Sequence, residues 1–146
     1  MKGKSKYVIF ILLFSHFALF AQSKGTVLSL TIYAPSLANS IIGEPVNQPI
    51  LVYLPPTYNL ELTKQYPVIY YLPGYSGKIS DFTDANSTWY SLESSMNYSI
   101  SQAKIKEVIF VIINGYNLLE GSFYSNSPVT GNWEDFVVKD VVKYMD

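Results

Sequence analysis

Residues Tyr66 to Gly77 read YPVIYYLPGYSG, and the reading of the chain starts from them. Val68, Ile69, Tyr70, Tyr71 and Leu72 are apolar or aromatic without a break and β-branched at the start. That composition predicts a strand covered on both faces within a parallel sheet. Pro67 opens the strand, because proline lacks the N–H that an inner ladder position needs. Pro73-Gly74 closes it: proline presets φ for a turn, and glycine permits a positive φ or a close backbone approach. Tyr75-Ser76-Gly77 then forms a loop at the carboxyl end of a central strand, where open α/β sheets hold their ligands. An ordinary strand-to-loop turn has the same features.

Working outward, PILVY (Pro49 to Tyr53) reads as a second strand ended by Pro55-Pro56, and Thr57 to Gln65 as the loop into the central one. Val27, Leu28, Leu30, Ile32 and Tyr33 make a first strand that Pro35 stops, and the polar connection Ser36 to Asn47 holds the turn residues Gly43 and Pro45. Beyond Gly77, Trp89, Leu92, Met96 and Ile100 recur at helical spacing, which predicts an amphipathic helix with Asn86 or Ser87 as its N-cap. Val108 to Ile113 is a fourth strand, again of the buried parallel kind, ended by Asn114-Gly115. Tyr116 to Gly131 has no period, and so long a loop is a candidate for function. Asn132 then caps a last helix, with Glu134 and Asp135 in the first turn, where they favour the macrodipole. Trp133, Phe136, Val137, Val141 and Tyr144 form its apolar face, and it runs to Asp146 without a C-cap, as a chain that stops within an element does.

The 146 residues are 49% hydrophobic and 14% charged, enough apolar surface for one core. Lys2, Lys4 and Lys6 supply three of the ten basic residues, which leaves seven against eleven acidic ones, so no basic field exists to hold nucleic acid. Cys is absent, which removes disulfides, Cys-ligated zinc and a thiol nucleophile together. A Lys-rich start, an apolar run from Tyr7 to Phe20 and then Ala21 make residues 1–21 a secretory signal peptide. The run falls short of the roughly 20 residues of a membrane span, and Ser15 and His16 interrupt it. Cleavage near Ala21-Gln22 is expected to release residues 22–146 to the periplasm or the exterior, with no stable membrane anchor. The single histidine, His16, leaves with the discarded segment.

Four stretches, VYLPPTY (Val52 to Tyr58), YPVIYYLPGYSG, FYSNS (Phe123 to Ser127) and GNWEDF (Gly131 to Phe136), together resemble an esterase family of α/β-hydrolases. That family includes esterase D-like enzymes, feruloyl and acetyl-xylan esterases and mycolyl-transfer enzymes, and the stretches follow its order and about its spacing. The resemblance implies an α/β three-layer sandwich with a mostly parallel central sheet, of which this chain is the N-terminal half. It implies carboxylic-ester hydrolysis, on acyl esters or feruloyl or acetyl esters of carbohydrates, with no cofactor and no metal. It further implies that the loop after the third strand supplies one backbone N–H of an oxyanion hole. Here that donor is Tyr75, with Gly74 keeping the approach to the substrate carbonyl clear. Family members often have His-Gly where this chain has Pro73-Gly74, so a side-chain contact from position 73 does not carry over. Tyr116, Phe123 and Tyr124 are candidates to line a sugar or aryl-ester site, and ordinary packing explains them equally well.

Such chemistry needs a Ser in a G-x-S-x-G elbow, then an Asp or Glu, then a His. The elbow motif does not occur in this sequence, and in Gly74-Tyr75-Ser76-Gly77 the residue two after Ser76 is Lys78, so Ser76 reads as a turn residue. The chain alone is expected to be inactive. A non-catalytic carbohydrate-binding or structural relative of the fold, or the product of an interrupted gene, accounts for the same features. Glu134 and Asp135 are adjacent on a helix and face different directions, which disfavours a catalytic acid pair. Asp81 and Asp84 flank a loop, but two carboxylates fall short of a Ca²⁺ ligand set.

Overall fold

The computed structural model describes residues 23–83 and 91–146. The expected signal peptide, and Asp84, Asn86, Ser87 and Trp89, lie outside the described residues. Strands β1 (Thr26–Tyr33), β2 (Asn47–Leu54), β3 (Val68–Tyr71) and β4 (Ile109–Ile113) form one sheet in the order β1-β2-β4-β3. β1 pairs with β2 and β2 with β4 in antiparallel fashion, and β3–β4 is the one parallel pair of this sheet. The sheet is therefore mixed, not mostly parallel as expected. An unbroken apolar run reports that a strand is covered, not which way its neighbour runs. Direction follows from the connections: β1 returns to β2 with only a 3-10 turn at Pro35–Leu37, whereas β3 reaches β4 through helix α1 (Leu92–Ser101).

Side-chain alternation along β2 and β4 feeds two cores. Ile50, Val52, Val111 and Ile113 meet Leu37 and the C-terminal residues Trp133, Phe136 and Val141 on one face. Leu51, Tyr53 and Ile112 meet Leu92 and Met96 of α1 on the other, so helices cover both faces. The N-cap of α1 is Ser91, whose Oγ accepts the Ser94 N–H at 3.1 Å, in place of the expected Asn86 or Ser87. Asn97 pins α1 to the sheet: its amide exchanges hydrogen bonds with Gly25 N–H (2.7 Å) and Gly25 O (3.0 Å), and its Oδ1 also accepts from the Tyr53 hydroxyl at 3.0 Å. Burial, with the nearby Glu107 and Glu93, pushes that hydroxyl up to about 12, so it remains a neutral donor.

The C-terminal helix changes register, with an α turn at Trp133–Asp135, a π turn at Phe136–Val141 and an α turn at Val142–Met145. A π turn adds a residue to the repeat. The apolar face therefore passes from Phe136 to Val141 and Met145, and Tyr144, expected on it, is 55% exposed. Asn132 stands at the N-cap position without a side-chain cap bond. Asn126 caps instead, its Oδ1 accepting the Asp135 N–H at 3.1 Å while its Nδ2 donates to Asp135 Oδ1 at 3.3 Å. The short hairpin of β5 (Asn126–Ser127) and β6 (Gly131–Asn132) folds Asn126 back to this position.

Among the described residues β3 pairs only with β4, and its residues alternate between half-buried and exposed, with Ile69 and Tyr71 45% and 41% exposed. Among the described residues the expected burial on both faces is not met: Val68 and Tyr70 pack against one core, whereas the face of Ile69 and Tyr71 is left part-exposed, and no second strand flanks β3. Such an edge presents unpaired N–H and C=O groups to a second chain. The 146-residue chain is expected to self-associate on light scattering, and Ile69→Lys to reduce that. A monodisperse parent monomer would contradict it.

Glu107, just before β4, ties down the β2–β3 connection. It accepts from Lys64 Nζ at 2.6 Å and from Thr57 Oγ1 at 2.5 Å. Burial alone would raise its pKa, but the bonds from Lys64 and Thr57 outweigh burial and hold the carboxyl below the ordinary glutamate value. A lowered folded-state pKa contributes stability that is full above the ordinary glutamate range and is lost as pH falls through the lowered value. Glu107→Gln is expected to flatten that acid limb in urea unfolding followed against pH; an unchanged limb would refute the assignment.

Candidate functional site

β3 and β4 are parallel neighbours with Tyr71 opposite Ile112, so the loops that follow them emerge side by side. Between the loops lies a hollow of about 270 Å³. Leu72, Pro73, Gly74 and Tyr75 line it from the first loop, and Gly115, Gly121, Ser122, Phe123 and Tyr124 from the second.

The two loops are strapped together. Ser76 N–H donates to Glu120 O at 2.9 Å, and the Tyr75 hydroxyl to Leu119 O at 3.2 Å. The Tyr75 ring stacks on Phe123 at 5.2 Å between centroids, tilted by 24°. The Tyr124 hydroxyl lies 3.1 Å from Pro73 O and 3.3 Å from Ile113 O, and so bridges the carbonyls at the ends of β3 and β4. Burial raises that hydroxyl far above the ordinary tyrosine value, and it stays a neutral donor. Glycine leaves room for both rings: a β-carbon at Gly115 would overlap the Tyr124 ring, and one at Gly121 the Tyr75 ring, so a side chain at either position would displace a tyrosine.

Four residues of these loops, Ser76, Glu120, Phe123 and Tyr124, hold φ between 49° and 65°. Non-glycine residues avoid this region at a cost of about 1–3 kcal/mol each, and strain of this kind concentrates at functional sites. Among the described residues the Tyr75 N–H has no hydrogen-bond acceptor. No heavy atom stands within 4 Å of where a β-carbon on Gly74 would lie, so the fold itself does not demand glycine there.

The structure thus brings Gly74, Tyr75, Phe123 and Tyr124 to one hollow and leaves Tyr116 out of it. Tyr116 lines a second hollow with Glu44 and Asn117, and its ring lies under Lys78 Nζ at 4.7 Å from the centroid. Asp81 is engaged locally, Oδ2 accepting the Lys78 N–H at 2.9 Å at the 3-10 turn Ile79–Phe82. Sequence reasoning missed Gly115 and Gly121 as contact positions. It also missed Asn117, whose Oδ1 accepts from Leu119 N–H (2.8 Å) and Gly121 N–H (2.9 Å) and shapes the second loop. An Asn in a loop, whose side chain can accept from the N–H two residues on, was the available signal.

No family model matches this sequence, and no curated protein matches it. Solved structures share its fold. A ferulic acid esterase superposes with a TM-score of 0.65 at 20% identity, over 85% of this chain and 43% of its own. A CE1 ferulic acid esterase from Anaeromyces mucronatus, in complex with ferulic acid, gives 0.56 at 19% identity, over 86% and 44%. The same enzyme without substrate gives 0.55 at 19% identity over the same shares. The chain spans less than half the length of these esterases. Identities this low establish fold alone: over about 85% of its length the chain has a feruloyl esterase-like fold.

Proposed function

We propose that this chain is part of an exported carboxylic-ester hydrolase acting on acyl esters, or on feruloyl or acetyl esters of carbohydrates, and that it supplies one oxyanion donor, the Tyr75 N–H. The observation that carries the reading is the Pro73–Gly77 loop, with an unengaged amide beside open space at Gly74 on the rim of the strapped hollow. Attack on an ester carbonyl moves negative charge onto its oxygen, and a donor fixed beforehand stabilises that charge without reorganising at the moment of reaction. The bonds from Ser76 and Tyr124 supply such fixing, and glycine at position 74 is explained by the approach of the substrate. Tyr75 and Phe123 offer exposed ring surface for the acyl or sugar part. At about 270 Å³ the hollow is smaller than the roughly 300–1,000 Å³ of a complete small-molecule pocket, as a part-built site would be. In this reading the nucleophile, acid and base lie outside these residues.

The test compares two proteins on p-nitrophenyl acetate. The 146-residue chain is expected to show no turnover that depends on Ser76, and a longer product of the same reading frame, with an elbow and a histidine, to turn over. Turnover by the short chain that Ser76→Ala abolishes would overturn the placement of the nucleophile. Export is checked by intact mass after expression in a Gram-negative host, with a mature start near Gln22 expected and retention of residues 1–21 in the exported fraction counting against it.

A further inference from the structure

Strand β1 borders the sheet on the side opposite β3, and among the described residues no strand pairs with its outer edge. Its eight residues, TVLSLTIY, carry no charge and no proline, and they run against β2 without a bulge from Thr26 opposite Leu54 to Tyr33 opposite Asn47. Edges that must stay unpaired are blunted by charges, prolines or bulges, and this one has none of them. The register shows which groups face outward. Ala34 N–H donates to Val46 O at 2.7 Å, one pair beyond Tyr33 and Asn47. Hydrogen-bonded pairs alternate along an antiparallel ladder, so Thr26, Leu28, Leu30 and Ile32 bond toward β2, whereas Val27, Ser29, Thr31 and Tyr33 turn N–H and C=O outward. Pro49, which has no N–H, stands opposite Thr31, a position from which the ladder takes none.

The side chains of those four outward-bonding residues lie on the α1 face, where Val27 packs beside Leu51 and Tyr33 is 65% exposed. On the same face a hollow of about 360 Å³ opens beside the edge, lined by Val27, Ser29, Leu51, Phe82 and the start of α1. A second copy of β1, related by a two-fold axis normal to the sheet, brings ring and hollow together. Odd positions must pair with odd ones, because only then do outward groups meet and the two α1 faces fall on one side. With Val27 opposite Tyr33 of the second copy, the exposed ring stands over the hollow that Val27 lines, and symmetry repeats the contact. Ser29 then faces Thr31, and on the other face Leu28, 41% exposed, meets Ile32 while Leu30 meets its own counterpart. Four outward pairs exchange about eight N–H···O bonds, within the roughly 5–15 of a specific interface, and the two inserted rings add aromatic burial. We propose that this chain forms a two-fold dimer through β1, with Tyr33 of each copy seated in the other copy's hollow. The dimer does not rest on the esterase reading, since none of these residues lines the Tyr75 hollow.

Sedimentation equilibrium of the full chain carrying Ile69→Lys, which blunts the other edge, tests it. A monomer–dimer equilibrium is expected, with a dissociation constant on the order of micromolar. Tyr33→Ala, at an exposed position, is expected to weaken it about tenfold or more at an unchanged circular dichroism spectrum, and Tyr33→Phe to keep most of it. The chain has no cysteine, so an introduced one reports the register. Under a mild thiol oxidant Leu30→Cys is expected to give a disulfide-linked dimer, its Cα about 4.5 Å from its counterpart. Leu28→Cys, four residues out of register and roughly 14 Å from its counterpart, is expected not to. A monomer well above micromolar concentration, a dimer indifferent to Tyr33→Ala, or a folded Leu30→Cys that cross-links no better than Leu28→Cys would each overturn the dimer. If Leu30→Cys does not fold, the sedimentation comparison decides alone. Failure here leaves the Tyr75 reading standing, and an inactive longer protein leaves the dimer standing.

Discussion

In a protein that joins this chain to a nucleophile elbow, Tyr75→Pro is expected to lose on the order of 10²–10³ in kcat, about 2.7–4 kcal/mol, while Tyr75→Phe keeps most of it. Proline removes the N–H itself. Phenylalanine keeps the N–H and the stack on Phe123, and gives up only the exposed bond from the hydroxyl to Leu119 O. The pair therefore separates the backbone donor from the side chain on the same residue. A donor used in the transition state moves kcat with little change in KM, whereas a loosened loop moves both. Circular dichroism of Tyr75→Pro must match the parent, since proline also restricts the turn. If Tyr75→Phe is the crippled variant, the phenol is the working group and the oxyanion assignment fails.

Trp133→Ala is expected to cost about 3–5 kcal/mol of folding stability, the largest effect of any single truncation considered. Trp133 is fully buried, packs edge-on to Phe136 at 5.5 Å and donates its indole N–H to Thr130 O at 2.7 Å. Truncation leaves both a cavity and an unpaired carbonyl. Tyr144→Ala is the matched control, expected to change stability by only about 0.5 kcal/mol, as exposed sites do. In an unbroken α-helix residue 144 would lie three turns on from 133 and on the same face. The π turn at Phe136–Val141 removes it from that face. Urea unfolding in the Ile69→Lys background, where edge pairing is blunted, measures both; equal losses would mean that the π turn is not there.

Local sequence determined a good deal. The strands around Val68 to Tyr71 and Ile109 to Ile113, the turn at Pro73-Gly74 and the facing positions Leu92, Met96 and Ile100 all follow from runs and spacings within a few residues. Composition near a strand end also marked Tyr75-Ser76-Gly77 as a loop at the carboxyl end of a strand; the hollow that Gly74 and Tyr75 line belongs to the tertiary structure. What needs two distant segments at once was decided only by the tertiary structure. The antiparallel pairings of β2, the cap that Asn126 lends to Asp135 and the bridge from Tyr124 to Pro73 and Ile113 are contacts between residues that no short window contains. Tyr116 and Tyr124 show the limit best. They are the same residue type in the same loop, yet one is sent to the Glu44 hollow and the other to the strand ends. The difference lies in which neighbours, Lys78 and Asn117 or Gly115 and Pro73, the fold sets beside them.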